Sequence, residues 1–384
     1  MYAALIMLSL VGTIGTASCT SDSDDMQQPS GGNTAIGFGF TTQATRGTST
    51  ETADLKKIGV FGYSHTNAWA SGNTDANSPD YFLNKAVIKK NDAWEYDGVV
   101  KYWPTDRKLS FFAYSPYSDV EGTFSEVYPD RETDTAKSPY IKYLVPTDVT
   151  KQIDLLRASN LNMTYATSNA GKVPFSMKHA LTKIGFTAKR DVADANSWLT
   201  VRVTEIEFKY ISGTGTLNLE DGTWEVVFPA PGNNGEFPIF TLTPNVGGGL
   251  NPMTVELKNT QTTAVQLNTD DGYFLFIPQI LDGRTPAGSG GLYVFAAVLY
   301  IRYDLVETSS GKIISANETT TFPLSGSYEA GKSITYNATF KTSSNEVDLN
   351  LTKEIVDWKD GATMPDQPVI DVPGQDGDDS GTWW

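Results

Sequence analysis

Residues 34–47 read TAIGFGFTTQATRG, and within them Ile36, Phe38 and Phe40 alternate with Gly37 and Gly39. Successive side chains of a strand point to opposite faces, so this run reads as a strand with one apolar face and almost nothing on the other. Such a strand fills a groove. Burying one Ile and two Phe contributes roughly 1.5–3 kcal/mol each, and each ladder hydrogen bond adds about 1 kcal/mol. Their sum, on the order of 10 kcal/mol, is comparable with the whole net stability of a domain. Beyond Phe40 comes Arg46, followed by Gly47, in a polar, small-residue setting open to a trypsin-like protease. Two readings stand on these residues alone: an ordinary first strand followed by an arginine in a loop, and a strand that proteolysis removes. A domain stripped of such a strand needs a replacement, and one taken from a neighbouring molecule is polymerisation by strand addition.

The rest of the chain is patterned for strands too. Charged residues make up 19% and aromatics 11% of the 384 residues, and abundant Gly, Thr and Ser favour strands and turns over helices. An all-β protein is expected, long enough for two medium domains. The net charge of -16 argues against nucleic acid or an anionic membrane surface as a partner. Residues 2–17 are apolar and small, too short a run to span a bilayer, and end in Thr16-Ala17-Ser18-Cys19. Residues 1–18 thus look like a lipoprotein signal peptide, with Cys19 as the lipidated start of the mature chain. Only Met1 precedes the apolar run, without Lys or Arg, and Thr16 stands where Leu is usual, which leaves room for an earlier start. A conventional signal peptide with a cysteine nearby is the other reading. Residues 19–33 form an acidic tether whose TSDSDD run resembles the export signal of surface lipoproteins in the Bacteroidetes, or serves as a plain flexible linker. Cys19 is the one cysteine, so no internal disulfide forms and stability rests on core burial.

From Leu55 the run LKKIGVFGY is a strand with Ile58, Val60 and Gly62 facing away from Gly59 and Phe61. The polar stretch Ser64 to Pro79 is a surface loop in which His65 is expected to be exposed, and Trp69 is the aromatic expected to meet a ligand. YFLNKAVIKK and WEYDGVVKYWP read as paired strands, with Asp97-Gly98 as the hairpin signal and Asn91-Asp92 competing. RKLSFFAY and YIKYLVP are further strands, on either side of a polar loop from Asp119 to Ser138, and KQIDLLR (151–157) has the pattern of a short helix. VPFSMKHALTKIGFTAK reads as strand, corner at His179-Ala180, strand, and the domain boundary is placed here, between an N-terminal domain 34–174 that includes the first strand 34–46 and a C-terminal domain 175–360. Evenly punctuated strands beyond it argue for a β-sandwich. Residues 361–384 contain no basic residue, carry Pro365, Pro368 and Pro373, and end in Trp383-Trp384. Composition makes this a flexible tail; Ile370, Val372 and the terminal tryptophans argue that it docks, and the prolines argue against.

Chemistry has little to work with. There are two histidines, and Ser64-His65 or Ser176 near His179 are sequence neighbours, which do not make a triad. His179 is expected to be a packed, hydrogen-bonded core residue. The acidic groups at residues 22–25 and 376–379 lack the ligand spacing of a calcium loop. Trp94, Tyr102, Trp103, Phe111, Phe112 and Tyr114 stand at strand spacing and are expected in the core and in cross-strand pairs. The expectation is a non-enzymatic protein with no metal and no cofactor.

TRGT after the first strand, IGVFGY, WEYDGVVKYWP, LSFFAYSPY, FSMKHALTKIGF, GKSITYNATF and VDW, in that order, resemble the fimbrillin family of Bacteroidetes, the Mfa-like and FimA-like pilins. The resemblance implies a surface-exposed outer-membrane lipoprotein precursor with palmitate on Cys19, folded as two tandem β-sandwich domains of transthyretin-like, Greek-key type. It also implies cleavage after Arg46, before Gly47, and a donor strand from the adjacent subunit in the groove vacated by Ile36, Phe38 and Phe40. The family's donor segment lies toward the C-terminus, which here is the tail from Gly361. Other fimbrial subunits are the implied partners, with adhesion to a host or bacterial surface ligand as the outcome. Shaft, tip and anchor roles all occur in the family. A monomeric or fimbrial-tip lipoprotein that binds glycan through Trp69 is the second reading.

Overall fold

The computed structural model describes residues 31–42, 55–69, 79–118, 125–128, 138–191, 197–228, 237–243, 255–258, 260, 263–268, 272–282, 296–342 and 347–358. The alternating runs become strands β1 (Gly37–Thr42), β2 (Lys57–His65), β3 (Phe82–Lys90), β4 (Ala93–Glu95), β5 (Lys108–Ser115), β6 (Ser125–Tyr128), β7 (Tyr140–Leu144), β8 (Leu156–Met163), β9 (Lys172–His179), β10 (Thr182–Arg190), β11 (Leu199–Lys209), β12 (Thr214–Asn218) and β13 (Trp224–Val227), with further strands between residues 240 and 357. Among the described residues the helical segments are short 3-10 turns, and the protein is all-β.

Seven strands form one sheet in the order β1-β9-β8-β5-β2-β3-β4. Its neighbours are antiparallel except at one edge, where β1 runs parallel to β9 with Gly37 opposite Lys172 and Thr42 opposite Met177. Because the side-chain period is two, the central strands β2 and β5 serve two cores, whereas β9 buries one face and exposes the other. Ile58, Val60, Leu109, Phe111, Val173, Phe175 and Met177 point into one, and Phe61, Tyr63, Phe112 and Tyr114 into the other. The first core is lined by β1, β2, β3, β5, β8 and β9 of this single sheet, with Leu55 and Trp103. The sheet therefore curls on itself, as strongly twisted sheets do, until the β1 edge faces β4 and the rings of Phe40 and Trp94 lie 4.6 Å apart.

The second core joins the opposite face of this sheet to the remaining strands. β7 pairs with β12, Thr214 opposite Leu144, so a ladder links residues on either side of the expected 174/175 boundary. That boundary itself falls inside β9. From β8, Arg157 donates to the carbonyls of Glu220 at 3.2 Å and Asp221 at 2.6 Å, tying the seven-stranded sheet to the turn between β12 and β13. Farther along, β10 runs parallel to strand Lys332–Thr342, and β11 pairs antiparallel with Val298–Glu307. Tyr303 against Phe340, at 5.5 Å, brings faces of these two sheets together.

Two local expectations are corrected. The β3–β4 hairpin turns at Asn91-Asp92, where both residues are left-handed (φ 47 and 64), as a two-residue turn of the primed kind requires. Gly98 (φ 88) bends the loop that follows, not the hairpin. The run KQIDLLR is not a helix. A 3-10 turn ends at Lys151, β8 begins at Leu156, and Ile153 and Leu155 are buried between them.

The cores make the protein sensitive to alkali. Burial raises the Tyr143 phenol far above its ordinary value, and Tyr328 and Tyr336, whose hydroxyls lie 3.1 Å apart, are raised by the same cause first. A raised native value means that the folded state holds its phenol protons more tightly than the unfolded chain. Stability from these groups is thus complete below about pH 10, the unfolded tyrosine value, and falls as pH rises above it. Ultraviolet difference absorbance against pH is expected to show these phenols ionising only together with loss of the near-ultraviolet circular dichroism. Smooth ionisation of every tyrosine in a folded protein would contradict it.

Candidate functional site

Three side chains on alternate positions carry the site. Ile36, Phe38 and Phe40 retain 2%, 3% and 3% of their exposure, all in the core that the curled sheet encloses. Phe38 packs edge-on against Phe82, Tyr96 and Phe111 and stacks on Phe175 at 6.2 Å. Phe40 stacks on Phe175 at 5.1 Å. Gly37 and Gly39 take the other face, and a Cβ placed on Gly39 would meet nothing within 4 Å. The strand is thus a wedge with one loaded face.

Its two edges are held differently along its length. On one side the β9 ladder runs from Gly37 to Thr42. On the other, the segment following β4 crosses the strand's beginning. Ile36 donates to the Lys101 carbonyl at 2.8 Å, Trp103 donates to the Thr34 carbonyl at 3.0 Å, and Ala35 bridges Tyr102. The Tyr96 hydroxyl donates to the Ile36 carbonyl at 3.2 Å, and burial in this position pushes the phenol above its ordinary value. From Phe38 to Thr42 the seam toward β4 is closed by rings, with no backbone ladder among the described residues. Residues 96–103 carried no local signal of this role. Only the fold brings them onto β1.

Cys19, Arg46, Gly47 and the tail from Gly361 lie outside the described residues. The exposed positions expected at the loop after β2 are corrected. Trp69 is 6% exposed, with its ring against Tyr63, His65 and Phe112 and its amide donating to Asn162 Oδ1, so its faces are spent on the core and not available to a sugar. His65 is fully buried: Nδ1 lies 2.7 Å from the Asn67 carbonyl and so carries a proton, and Nε2 lies 2.8 Å from Ser110 Oγ. That hydroxyl also accepts the Asn162 amide, so this sealed serine–imidazole pair stitches β2, β5 and β8. His179 is packed as expected, 2.9 Å from Asp154 and stacked 3.9 Å from the Trp358 ring. Among the described residues no three His, Cys, Asp or Glu gather as metal ligands.

The geometry defines a class: an all-β protein whose edge strand supplies core side chains to a groove of its own sheet. Residues 42–358 match the fimbrillin-like family model, and the chain belongs to that family. A fimbrium subunit, Fim1C of Phocaeicola vulgatus, is 27% identical over an alignment covering 92% of this chain and 96% of that one. The crystal structure of a fimbrial protein from Bacteroides vulgatus superimposes with a TM-score of 0.62 at 23% identity, over 85% of this chain and all of that one, which shows a shared fold.

Proposed function

We propose that this chain is a structural subunit of a cell-surface fimbrium, exported as a lipoprotein through Cys19 and assembled by strand replacement. A protease cuts after Arg46, β1 leaves, and a strand from the next subunit, supplied by its residues 361–384, takes the places of Ile36, Phe38 and Phe40. The observation that carries this reading is the burial of those three side chains on a strand at a sheet edge, laddered on one side for most of its length. An edge strand with that much apolar area leaves an open groove when lost, and an open groove beside an unpaired edge recruits another strand. Family membership and the name of the Phocaeicola vulgatus relative agree with it.

The test is limited trypsin treatment of the folded protein. Loss of the N-terminal fragment is expected to be followed by oligomers that survive a denaturing gel without heating, and Arg46→Ala protein is expected to stay monomeric. Oligomers forming equally well without cleavage would count against the proposal.

A further inference from the structure

We infer that residues 96–103 form a clasp that retains β1 at its N-terminal end, so that the strand opens from Thr42 backwards and stays bound until the clasp gives way. Its importance for assembly rests on the function proposed above; the geometry stands by itself. At the start of β1, both edges are bonded within a few residues. Lys101 and Trp103 hold Ile36 and Thr34 from one side, while Gly37 donates to the Gly171 carbonyl at 3.0 Å from the other. The same Gly171 carbonyl accepts Trp103 Nε1 at 2.9 Å, which joins the two sides in one network. Gly171 is left-handed (φ 87), and a Cβ there would lie 2.8 Å from Thr34 Cγ2, so the chain closes tightly at this point. Tyr96 adds a pivot: its hydroxyl donates to the Ile36 carbonyl and accepts the Lys101 amide, each at 3.2 Å.

The other end has fewer backbone bonds. From Phe38 to Thr42 the backbone is laddered to β9 alone, supplemented by Thr41 Oγ1 on the Phe175 carbonyl at 3.3 Å, and its far edge is covered only by side chains, among them the Phe38 and Phe40 rings against Tyr96 and Trp94. A strand bonded on both edges at one end and on one edge at the other peels from the weaker end, because local openings follow the lowest local stability. That end is the one nearer Arg46 in the sequence. A cut there frees the end that opens first, and the clasp keeps the severed strand in its groove until a competitor has begun to enter. Premature exposure of the groove is thereby avoided.

Residue-resolved hydrogen exchange on the uncut full chain tests the order. The Gly39 and Thr41 amides are expected to exchange at least tenfold faster than those of Ile36 and Gly37. Tyr96→Phe keeps the ring against Phe38 and Phe82 but removes the hydroxyl. It is expected to speed exchange at Ile36 and Gly37 about fivefold, the effect of one ordinary hydrogen bond, and to speed loss of the N-terminal fragment after trypsin by a similar factor. Exchange at Ile36 and Gly37 as fast as at Thr41, or a Tyr96→Phe protein unchanged in both measurements, would overturn the clasp. Cut subunits that never polymerise would remove the proposed function and leave the exchange order untouched.

Discussion

Phe38→Ala is expected to cost about 3–5 kcal/mol, the usual range for emptying a buried phenylalanine site, and to spend nearly all of it on detaching one strand. The ring touches Phe40, Phe82, Tyr96, Phe111 and Phe175, so little of the cavity can be refilled by collapse. Yet β1 lies at an edge, and most of its length can open without breaking any ladder but the one to β9. Residues 34–42 are therefore expected to become labile to hydrogen exchange and to chymotrypsin, while the urea midpoint of the remaining sheet moves little. Phe111→Ala empties the same core from β5 in the middle of the sheet, and there the midpoint itself is expected to fall. Gly39→Ala is the control: its added methyl meets nothing, and the change is expected to stay within about 0.5 kcal/mol. Equal shifts of the global midpoint for Phe38→Ala and Phe111→Ala, without local exposure of β1, would show that the strand is no separable part of the fold.

What the residue pattern made legible was local and periodic. Alternation at Ile36, Phe38 and Phe40 placed the loaded face of β1 correctly, and FSMKHALTKIGF became β9, a corner and β10. Neighbours Phe111 and Phe112 went to opposite cores, as a period of two demands. Pairing was not legible. Nothing near β1 specifies a parallel partner at residues 172–177, or that residues 96–103 will return over its beginning, since such choices rest on contacts far apart in the chain. Turn chemistry was ambiguous for a different reason: Asn91-Asp92 and Asp97-Gly98 offer the same left-handed tolerance, and only the strand register separates them. Trp69 and His65 misled because polar, small neighbours mark a loop, whereas the first residues of that loop fold inward. Ser110 and Asn162, distant in sequence, supply the polar partners that make burial of His65 and of the Trp69 amide tolerable.

Gly59→Ala is expected to destabilise the protein by about 3 kcal/mol, the upper end of an overpacking cost, although it adds one methyl group to a position that the sequence leaves empty. Gly59 stands opposite Tyr114 in the β2–β5 ladder, and the tyrosine ring lies over it. A Cβ at residue 59 would sit 2.1 Å from Cε1 and 2.4 Å from Cζ of that ring. The ring has nowhere to slide, since it is buried and its hydroxyl lies 2.7 Å from Asn84 Oδ1 and 2.8 Å from the Ser118 carbonyl. Either the ring leaves, forfeiting roughly 1.5–3 kcal/mol of burial and about 1 kcal/mol per lost hydrogen bond, or β2 shifts at an overpacking cost of about 1–3 kcal/mol. A shift of β2 also reaches the groove, because Ile58 and Val60 on its opposite face belong to the core that receives β1. A double-mutant cycle separates the two routes. With Tyr114→Ala the obstacle is gone, and Gly59→Ala in that background is expected to cost less than about 1 kcal/mol, leaving a coupling of about 2 kcal/mol. Urea midpoints report the coupling, and exchange at residues 36–42 reports whether β1 loosens with it. Strictly additive costs would mean that the ring is not what excludes a side chain at residue 59, and that β2 tolerates the methyl by some other adjustment.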